Sequence, residues 1–404
     1  MITAQVDVTN AAFKANPFPF YAQLRAEAPV FSTTIRMPMK RHAWLVTRYD
    51  DVLTVLKDAR FAKNPRNAML PEQLKKQPWV PPMFKPLEQN MLDQDAPDHT
   101  RLRALVHKAF TARLIEQMRE QIQTLSNELL DAAERKGRMD LIADFALPVP
   151  LTMIGRILGI PAEDNPKFHY WTRSMLSAGT SMNFLRVIPI IMRFLGYLKK
   201  IVRERRAHPK DDLITALVQT REGSDQLSEN EILAMILLLL IAGHETTVNL
   251  IGSGSLALLE HPDQWQKLRA EPASIKPAIE ELLRFVCPLE MATERYTRED
   301  VTIAGTTIPR GELVLAVVGS ANRDENYFVE PDSLDITREN NRHLAFGQGI
   351  HFCLGAPLAR LEGQIAINTL VQRMPNLRLS VAPEQIRWRG GFILRGLEAL
   401  PVSF

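Results

Sequence analysis

Hydrophobic positions along the 404-residue chain recur mainly at the three- and four-residue spacing of amphipathic α-helices. This spacing is clearest from His99 to Lys136 and from Glu163 to Arg206. Strand-like patterns are confined to short pieces at residues 43–47, 301–303, 307–308, 313–318 and 392–404. The pattern therefore predicts a mainly α protein with a small β-sheet region.

The predicted strands lie near both ends of the chain. The strand at 43–47 has to pair with strands beyond residue 300, which leaves no clean boundary between autonomous domains. We therefore predict a single domain spanning residues 1–404. The stretch 65–86 holds six prolines and is predicted to be a long irregular loop.

A long central helix is predicted around the apolar run at 232–243. Ser228 and Glu231 lie just before this run at the spacing of a capping box, and a proline stops the helix after about His261. The run is shorter than the ~18 residues expected of a membrane span, so we predict a buried core helix. Inside it lies the sequence AGHETT at 242–247, and an acid with two hydroxyls is a poor choice for a purely structural turn.

Composition narrows the class of protein. The chain is 46% hydrophobic and 24% charged, with a net charge of +3 and no long basic run, so we predict a globular protein with no nucleic-acid partner. Two cysteines are too few for a disulfide framework and fit a reducing compartment. The first twenty residues show no targeting or membrane signal, so we predict no membrane anchor and a cytoplasmic location.

Cys353 lies in the glycine-rich segment FGQGIHFCLGAP at 346–357, just before a helical pattern. Pro357 suits a first helical turn, and a helix N-terminus favours a thiolate over a thiol. Two other interpretations are a buried small hydrophobe and a zinc site. The zinc site is disfavoured because no second cysteine, and only His351, lies within ligand spacing.

The segment from Phe346 to Gly355 resembles the heme-ligand signature of cytochrome P450, Phe-x-x-Gly-x-x-x-Cys-x-Gly. The sequence at 242–247 is similar to the oxygen-binding motif of that family. Glu281 and Arg284 fit its Glu-x-x-Arg pair, whose role is structural. The three motifs occur in the family's order, so the resemblance implies the cytochrome P450 fold over nearly the whole chain. The pattern also resembles bacterial members that oxidise polyketides or macrolides.

The resemblance implies heme b (iron protoporphyrin IX) as the cofactor and O2 as a cosubstrate. Cys353 would be the proximal iron ligand, because a thiolate donates electron density that favours O–O cleavage. Glu245 and Thr246 would be catalytic residues that organise water and relay protons, where Gly243 lets the helix widen. The other heme-binding residues implied are His99, Arg103, Ala242, Arg295, Phe346, His351 and Gly355.

The implied reaction inserts one oxygen atom from O2 into a large apolar substrate of polyketide, macrolide, steroid or lipid type. Ferredoxin and ferredoxin reductase would supply the electrons, and basic residues would attract an acidic ferredoxin. The basic residues concerned are Arg101, Lys108, Arg342 and Arg360. The predicted substrate-binding residues are uncharged, and they are Met83, Phe84, Leu238, Ala242, Leu289, Phe392 and Ile393.

Two alternatives remain at this point. A heme-thiolate peroxygenase driven by hydrogen peroxide would not need the acid and alcohol of Glu245 and Thr246. A non-catalytic helical binding protein without heme would not need Cys353. His244 is expected to be a packing residue and Cys287 to be inert core.

Overall fold

The structure, a computed structural model, describes residues 6–37, 39–75, 77, 87–164, 166–168, 170, 171, 174, 184–222 and 225–404. The chain forms two compact units. The first unit comprises residues within 1–77, 122–148 and 246–404, and the second comprises residues within 78–121 and 149–245. The single domain over residues 1–404 stays a prediction.

Helices dominate the described residues, which confirms the predicted fold class. The α-helices are α1 (Ala11–Ala15), α2 (Phe18–Glu27), α3 (Tyr49–Lys57), α4 (Pro71–Leu74), α5 (Asp98–Ala109), α6 (Ala112–Glu134), α7 (Pro148–Leu158), α8 (Phe184–Ala207), α9 (Leu213–Gln219), α10 (Glu229–Glu260), α11 (Pro262–Ala270), α12 (Ile275–Val286), α13 (Val318–Ala321) and α14 (Ala356–Arg373). The predicted loop at 65–86 contains α4, and its residues 76 and 78–86 lie outside the described chain.

In the part of the chain that the structure describes, the strands form one main sheet and three smaller ones. They are β1 (Val30–Met37), β2 (Met39–Val46), β3 (Phe61–Ala62), β4 (Arg138–Asp140), β5 (Arg221–Glu222), β6 (Asp225–Gln226), β7 (Arg295–Thr297), β8 (Val301–Ile303), β9 (Thr306–Ile308), β10 (Leu313–Ala316), β11 (Arg378–Leu379) and β12 (Pro401–Ser403). The main sheet has the order β1-β2-β10-β7-β3. β2 runs parallel to β10, with Leu45 opposite Leu315, which confirms the predicted pairing across the chain.

The main sheet separates two apolar clusters of the first unit. Val314 and Ala316 belong to one cluster, whereas Leu313 and Leu315 belong to the other. Because successive strand side chains point to opposite faces, β10 is buried on both sides. This double burial explains its uninterrupted run of apolar residues.

The central helix α10 begins and ends as the sequence predicts. The Ser228 backbone N–H donates to Glu231 Oε2 at 2.7 Å, and the Glu231 N–H donates to Ser228 Oγ at 3.2 Å, which completes the capping box. The helix ends at Glu260, just before the proline that begins α11. Among the described helices, α10 alone is long and apolar enough to cross a membrane. However, 56% of its most apolar window is buried inside the protein, as in a core helix.

The C-terminal strand is shorter than predicted, covering residues 401–403 instead of 392–404. The backbone before residue 401 makes only isolated hydrogen bonds, and these go to separate segments. They join Met291 N–H to Ile393 O at 3.2 Å, Arg395 N–H to Pro288 O at 3.1 Å and Arg389 N–H to Gly396 O at 2.9 Å. The apolar pattern is therefore present without a continuous hydrogen-bond ladder to make it a strand.

Candidate active site

The loop before α14 presents Cys353 through a tightly bonded backbone. The Cys353 N–H donates to the Phe346 carbonyl at 2.9 Å and thereby closes the loop. Gly347 and Gly349 adopt left-handed conformations with φ of 68° and 74°. A Cβ on Gly349 would also lie 2.9 Å from the Leu56 carbonyl oxygen, so this position requires glycine. The loop therefore packs closely against α3.

The two cysteines of the chain occupy opposite environments, and neither is in a disulfide. Cys353 is exposed and lies three residues before the first residue of α14, which has Gly355 at its N-cap and Pro357 in its first turn. The helix N-terminus favours a thiolate there. Cys287 is buried, and its burial, reinforced by Glu290, raises the pKa of its thiol to about 12. Its environment agrees with the inert role predicted for it.

The Phe346 ring contacts an arginine that belongs to an ion-pair cluster. The Arg360 guanidinium lies 4.5 Å from the Phe346 ring centroid, and its Nε is 2.7 Å from Glu280 Oε1. His343 Nε2 lies 3.1 Å from the other Glu280 oxygen. Burial raises the pKa of Glu280, but hydrogen bonds from Arg360 and His343 outweigh it and lower that pKa to about 2. Arg360 therefore stabilises the cysteine loop through the Phe346 ring, and Glu280 largely balances its charge.

Glu281 and Arg284 lie fully buried on α12. Their side chains form a bidentate pair, and Arg284 also donates to the carbonyls of Asn322 and Pro331 at 3.0 and 2.6 Å. The N–H of Asp335 donates to Glu281 at 3.0 Å. The pair therefore fixes the irregular segment that leads to the cysteine loop.

The donor set around Cys353 fits an iron porphyrin. Across the described part of the chain, no group of three or more His, Cys, Asp or Glu residues is placed to hold a metal ion. A single exposed thiolate suits a metal that arrives with its other ligands in a prosthetic group.

The first unit also holds three other predicted site residues. Arg295 lies buried on β7 and donates to the carbonyls of Thr293 and Glu294 at 3.1 and 3.3 Å. His351 is half-buried at the end of a short 3-10 turn, and Thr246 is half-buried on α10. Their predicted contacts with heme and protons stay predictions.

The second unit holds the remaining heme and relay candidates. His99 is buried and Arg103 half-buried one helical turn apart on α5, so they share one face. Glu245 and Leu238 are half-buried on α10, whereas Ala242 is exposed.

Two further predictions concern neighbours on α10. His244 is buried, with Nδ1 2.7 Å from the Leu240 carbonyl, as expected of a packing residue. α10 is helical without interruption through Gly243, so the predicted widening there does not break the helix and stays a prediction. A Cβ on Gly243 would meet only Ile154, at an ordinary 3.8 Å, so nothing in the local packing forces the helix open.

The predicted substrate-binding residues of the first unit lie on two backbone segments that pair with each other. Leu289 bridges to Leu394, Ile393 is half-buried, and Phe392 is buried in a core cluster with Tyr21. Met83 and Phe84 lie outside the described residues.

A buried acid was missed by the sequence reasoning. Glu362 is fully buried on α14, where burial raises the pKa of its carboxyl to about 8 despite a hydrogen bond with Thr247. The signal was available, because Glu362 lies four residues after Leu358 and three before Ile365, on the apolar face of the helix.

Known proteins resemble this chain over nearly its whole length. A family model of cytochrome P450 matches residues 8–387. The chain is 45% identical over 396 residues to the polyketide biosynthesis cytochrome P450 PksS of Bacillus subtilis (strain 168), which covers 97% of this chain and 96% of that protein. A solved structure of the Bacillus subtilis 168 bacillaene polyketide synthase cytochrome P450 PksS has a TM-score of 0.91 at 43% identity, over 99% of each chain. A solved structure of P450BioI in complex with hexadec-9Z-enoic acid ligated acyl carrier protein has a TM-score of 0.87 at 40% identity, over 98% of this chain and 100% of that chain.

These matches confirm the resemblance drawn from the cysteine loop, the central helix and the Glu-x-x-Arg pair. They extend over both units of the structure. This chain belongs to the cytochrome P450 family and is a monooxygenase that uses heme iron and O2.

Proposed function

We propose that this monooxygenase inserts one oxygen atom from O2 into a C–H or C=C bond of a large apolar substrate, of polyketide, macrolide, steroid or lipid type. The observation that carries the proposal is the presentation of Cys353 at the N-terminus of α14 by a loop with two left-handed glycines. For a C–H bond, R–H, O2, two electrons and two protons give R–OH and water. PksS acts in polyketide biosynthesis and P450BioI binds a fatty acyl carrier protein, so among these classes we favour an acyl or polyketide chain.

The cofactor in this proposal is heme b, with the Cys353 thiolate as the protein ligand to iron. When bound, the heme supplies the iron centre at which O2 is reductively activated. The positive end of α14 favours the thiolate form of Cys353, and the bond between the Cys353 N–H and the Phe346 carbonyl holds the residue in place. The propionates would be held by cationic and hydrogen-bonding side chains, namely His99, Arg103, Arg295 and His351.

Protons in this proposal come through neighbouring side chains of α10. The Glu245 carboxylate takes a proton from water, and the Thr246 hydroxyl holds the water that passes it on. One turn earlier, Ile241 is 44% exposed and Ala242 is exposed, although the helix is otherwise largely buried. These two apolar residues would give the substrate chain a surface to cover.

A ferredoxin and its reductase would supply the electrons in the cytoplasm. Two of the four candidate docking residues are already paired: Arg360 with Glu280, and Arg101 with Asp225 and Glu231. Lys108 and Arg342 are exposed. Lys108 Nζ donates to the Arg221 carbonyl at 3.4 Å. We therefore place the electrostatic attraction of an acidic ferredoxin mainly on the exposed Arg342, with a smaller contribution from Lys108.

The thiolate assignment is tested by the spectrum of the reduced protein with carbon monoxide. The wild type should show the Soret band typical of a heme thiolate, and Cys353→Ser should lose that band together with turnover. Cys287→Ser is the matched control, because it removes the other thiol and should leave the spectrum unchanged. A colourless protein, or full turnover in Cys353→Ser, would contradict the proposal.

The substrate and the oxidant are tested separately. Hexadec-9Z-enoic acid, free and as its acyl carrier protein thioester, should displace water from the iron in a spectral titration, whereas succinate should not. Product should then form with ferredoxin, its reductase and NADPH. Product that formed only with hydrogen peroxide would favour the peroxygenase, and a response confined to succinate would overturn the apolar substrate.

A further inference from the structure

A lysine of the N-terminal helix α1 is fully buried against an acid from far along the chain. Lys14 Nζ lies 3.0 Å from Glu290 Oε1, and at most 1% of either side chain is exposed. The Tyr21 hydroxyl donates to the same carboxylate oxygen. Burial of an ion pair is costly and gives little net stability, so its position in the fold is the more informative property.

The segment that carries this lysine supports residues 390–395 at several points. The contacts are Gly391 N–H to Thr9 O at 2.9 Å, Lys14 Nζ to Phe392 O at 3.4 Å, Arg395 Nε to Lys14 O at 2.8 Å and Arg395 Nη2 to Ala15 O at 3.2 Å. The backbones approach so closely that a Cβ on Gly390 would lie 3.1 Å from the Thr9 carbonyl oxygen. The N-terminal segment at residues 9–15 therefore holds residues 390–395 in place.

The same residues are bonded on their other edge to the segment after α12. Met291 N–H donates to Ile393 O at 3.2 Å, and Arg395 N–H donates to Pro288 O at 3.1 Å. Lys14 therefore contacts both partners of this pairing, through the Glu290 carboxylate and the Phe392 carbonyl. Glu290 and Phe392 are buried, whereas their neighbours Leu289 and Ile393 are only half-buried.

We propose that Lys14 is a positioning residue that fixes the wall formed by Leu289 and Ile393, and thereby sets how tightly the enzyme holds an apolar chain. This inference rests on the proposed function and on the prediction from the sequence that Leu289 and Ile393 bind the substrate. One ammonium joins a carboxylate on one segment to a carbonyl on the other, and an apolar side chain of equal length can make neither contact.

The test uses two probes that bind heme iron through the same group. Imidazole should shift the Soret band by ligating the iron without reaching the wall, whereas 1-dodecylimidazole adds an apolar chain that can contact it. The ratio of the two dissociation constants then measures the contribution of the chain. In Lys14→Met we expect imidazole affinity to stay unchanged and the preference for 1-dodecylimidazole to fall about tenfold, as for the loss of one hydrogen bond to a charged group.

Three variants distinguish positioning from general destabilisation. Lys14→Arg keeps the charge and should restore most of the preference. Arg205→Met is the matched control, because Arg205 is a buried cation 2.5 Å from the buried Asp212 and bonds to neither wall segment, so its preference should equal that of the wild type. Should Lys14→Met fail to take up heme, Lys14→Gln carries the same expectation.

The outcomes separate this inference from the proposed function. No Soret shift with imidazole in the wild type would overturn the heme assignment. A normal imidazole shift with an unchanged chain preference in the Lys14 variant that takes up heme would overturn the positioning role alone. Equal losses for both probes would also overturn it, because a merely structural residue lowers the two affinities together.

Discussion

Arg284 meets Glu281 in a bidentate ion pair from which solvent is excluded, with Nε–Oε2 and Nη2–Oε1 distances of 2.8 and 2.7 Å. Glu281 also accepts from Arg338 at 3.1 Å, so one acid balances two arginines. We expect Glu281→Gln to lower the free energy of unfolding by about 3–5 kcal/mol, because it leaves a buried cation uncompensated. Denaturant titration followed by circular dichroism measures this loss.

The chain offers a control with the same spacing on its surface. Glu116 and Arg119 are also three residues apart on one helix, but both are more than half exposed. Glu116→Gln should therefore leave the unfolding midpoint unchanged. Equal midpoints for Glu281→Gln and the wild type would contradict a structural role for the buried pair.

Gly349→Ala should destabilise the cysteine loop more than Gly347→Ala. Both positions are left-handed, which costs a non-glycine residue about 1–2 kcal/mol. Only at Gly349 would the new Cβ also come within 2.9 Å of the Leu56 oxygen, whereas Gly347 has nothing within 4 Å. We expect a lower melting temperature and weaker heme retention for Gly349→Ala, and equal effects in the two variants would rule out the close contact as the cause.

Glu362 should make stability fall as pH rises. Burial raises the pKa of its carboxyl from an ordinary 4.5 to about 8, so between these values the folded state holds a proton that the unfolded state has lost. The free energy of unfolding should therefore decrease with pH by up to about 1.4 kcal/mol per pH unit in this window. Glu362→Gln removes this contribution, so the advantage of the wild type over the variant should shrink between pH 5 and pH 8 in denaturant titrations. A difference in the free energy of unfolding between the two proteins that did not change with pH would contradict the raised pKa of Glu362.

Thr246→Ala should uncouple electron use from product formation. Without the Thr246 hydroxyl the proposed proton route is interrupted, and reducing equivalents should go to hydrogen peroxide. We expect product formation to fall by about 10²-fold, as for the loss of a proton-transfer group, while substrate affinity stays unchanged. Product and peroxide formed per NADPH consumed measure the partition, and Thr246→Ser should retain coupling because it keeps the hydroxyl. Undiminished product per NADPH in Thr246→Ala would show that the proton route is assigned wrongly.

Features fixed by neighbouring residues could be predicted from the sequence. The capping box of Ser228 and Glu231 is a local hydrogen-bond exchange, and the structure shows both bonds. The cysteine loop depends on glycine conformations that few other residues adopt, so its pattern is specific. One distant pairing was also predictable, namely that of the strand at 43–47 with a strand beyond residue 300, because strand patterns occur at few other places; its parallel orientation was not predicted.

Other features that depend on distant partners could not be predicted. No local pattern links Lys14 to Glu290, and a lysine in a short polar stretch gives no sign of complete burial. Arg360 could equally be a surface charge until the fold places Glu280 beside it. The predicted strand at 392–404 is too long, because the alternation of apolar and polar residues does not show whether a partner strand runs beside them.

The parallel pairing of β2 with β10 also constrains the order in which the protein can be built. The hairpin of β1 and β2 is complete at residue 46, but the central strand of its sheet ends at Ala316. During synthesis the second edge of β2 therefore stays open until most of the chain has left the ribosome. This enzyme's nascent chain should depend on chaperones that shield that edge for most of its translation.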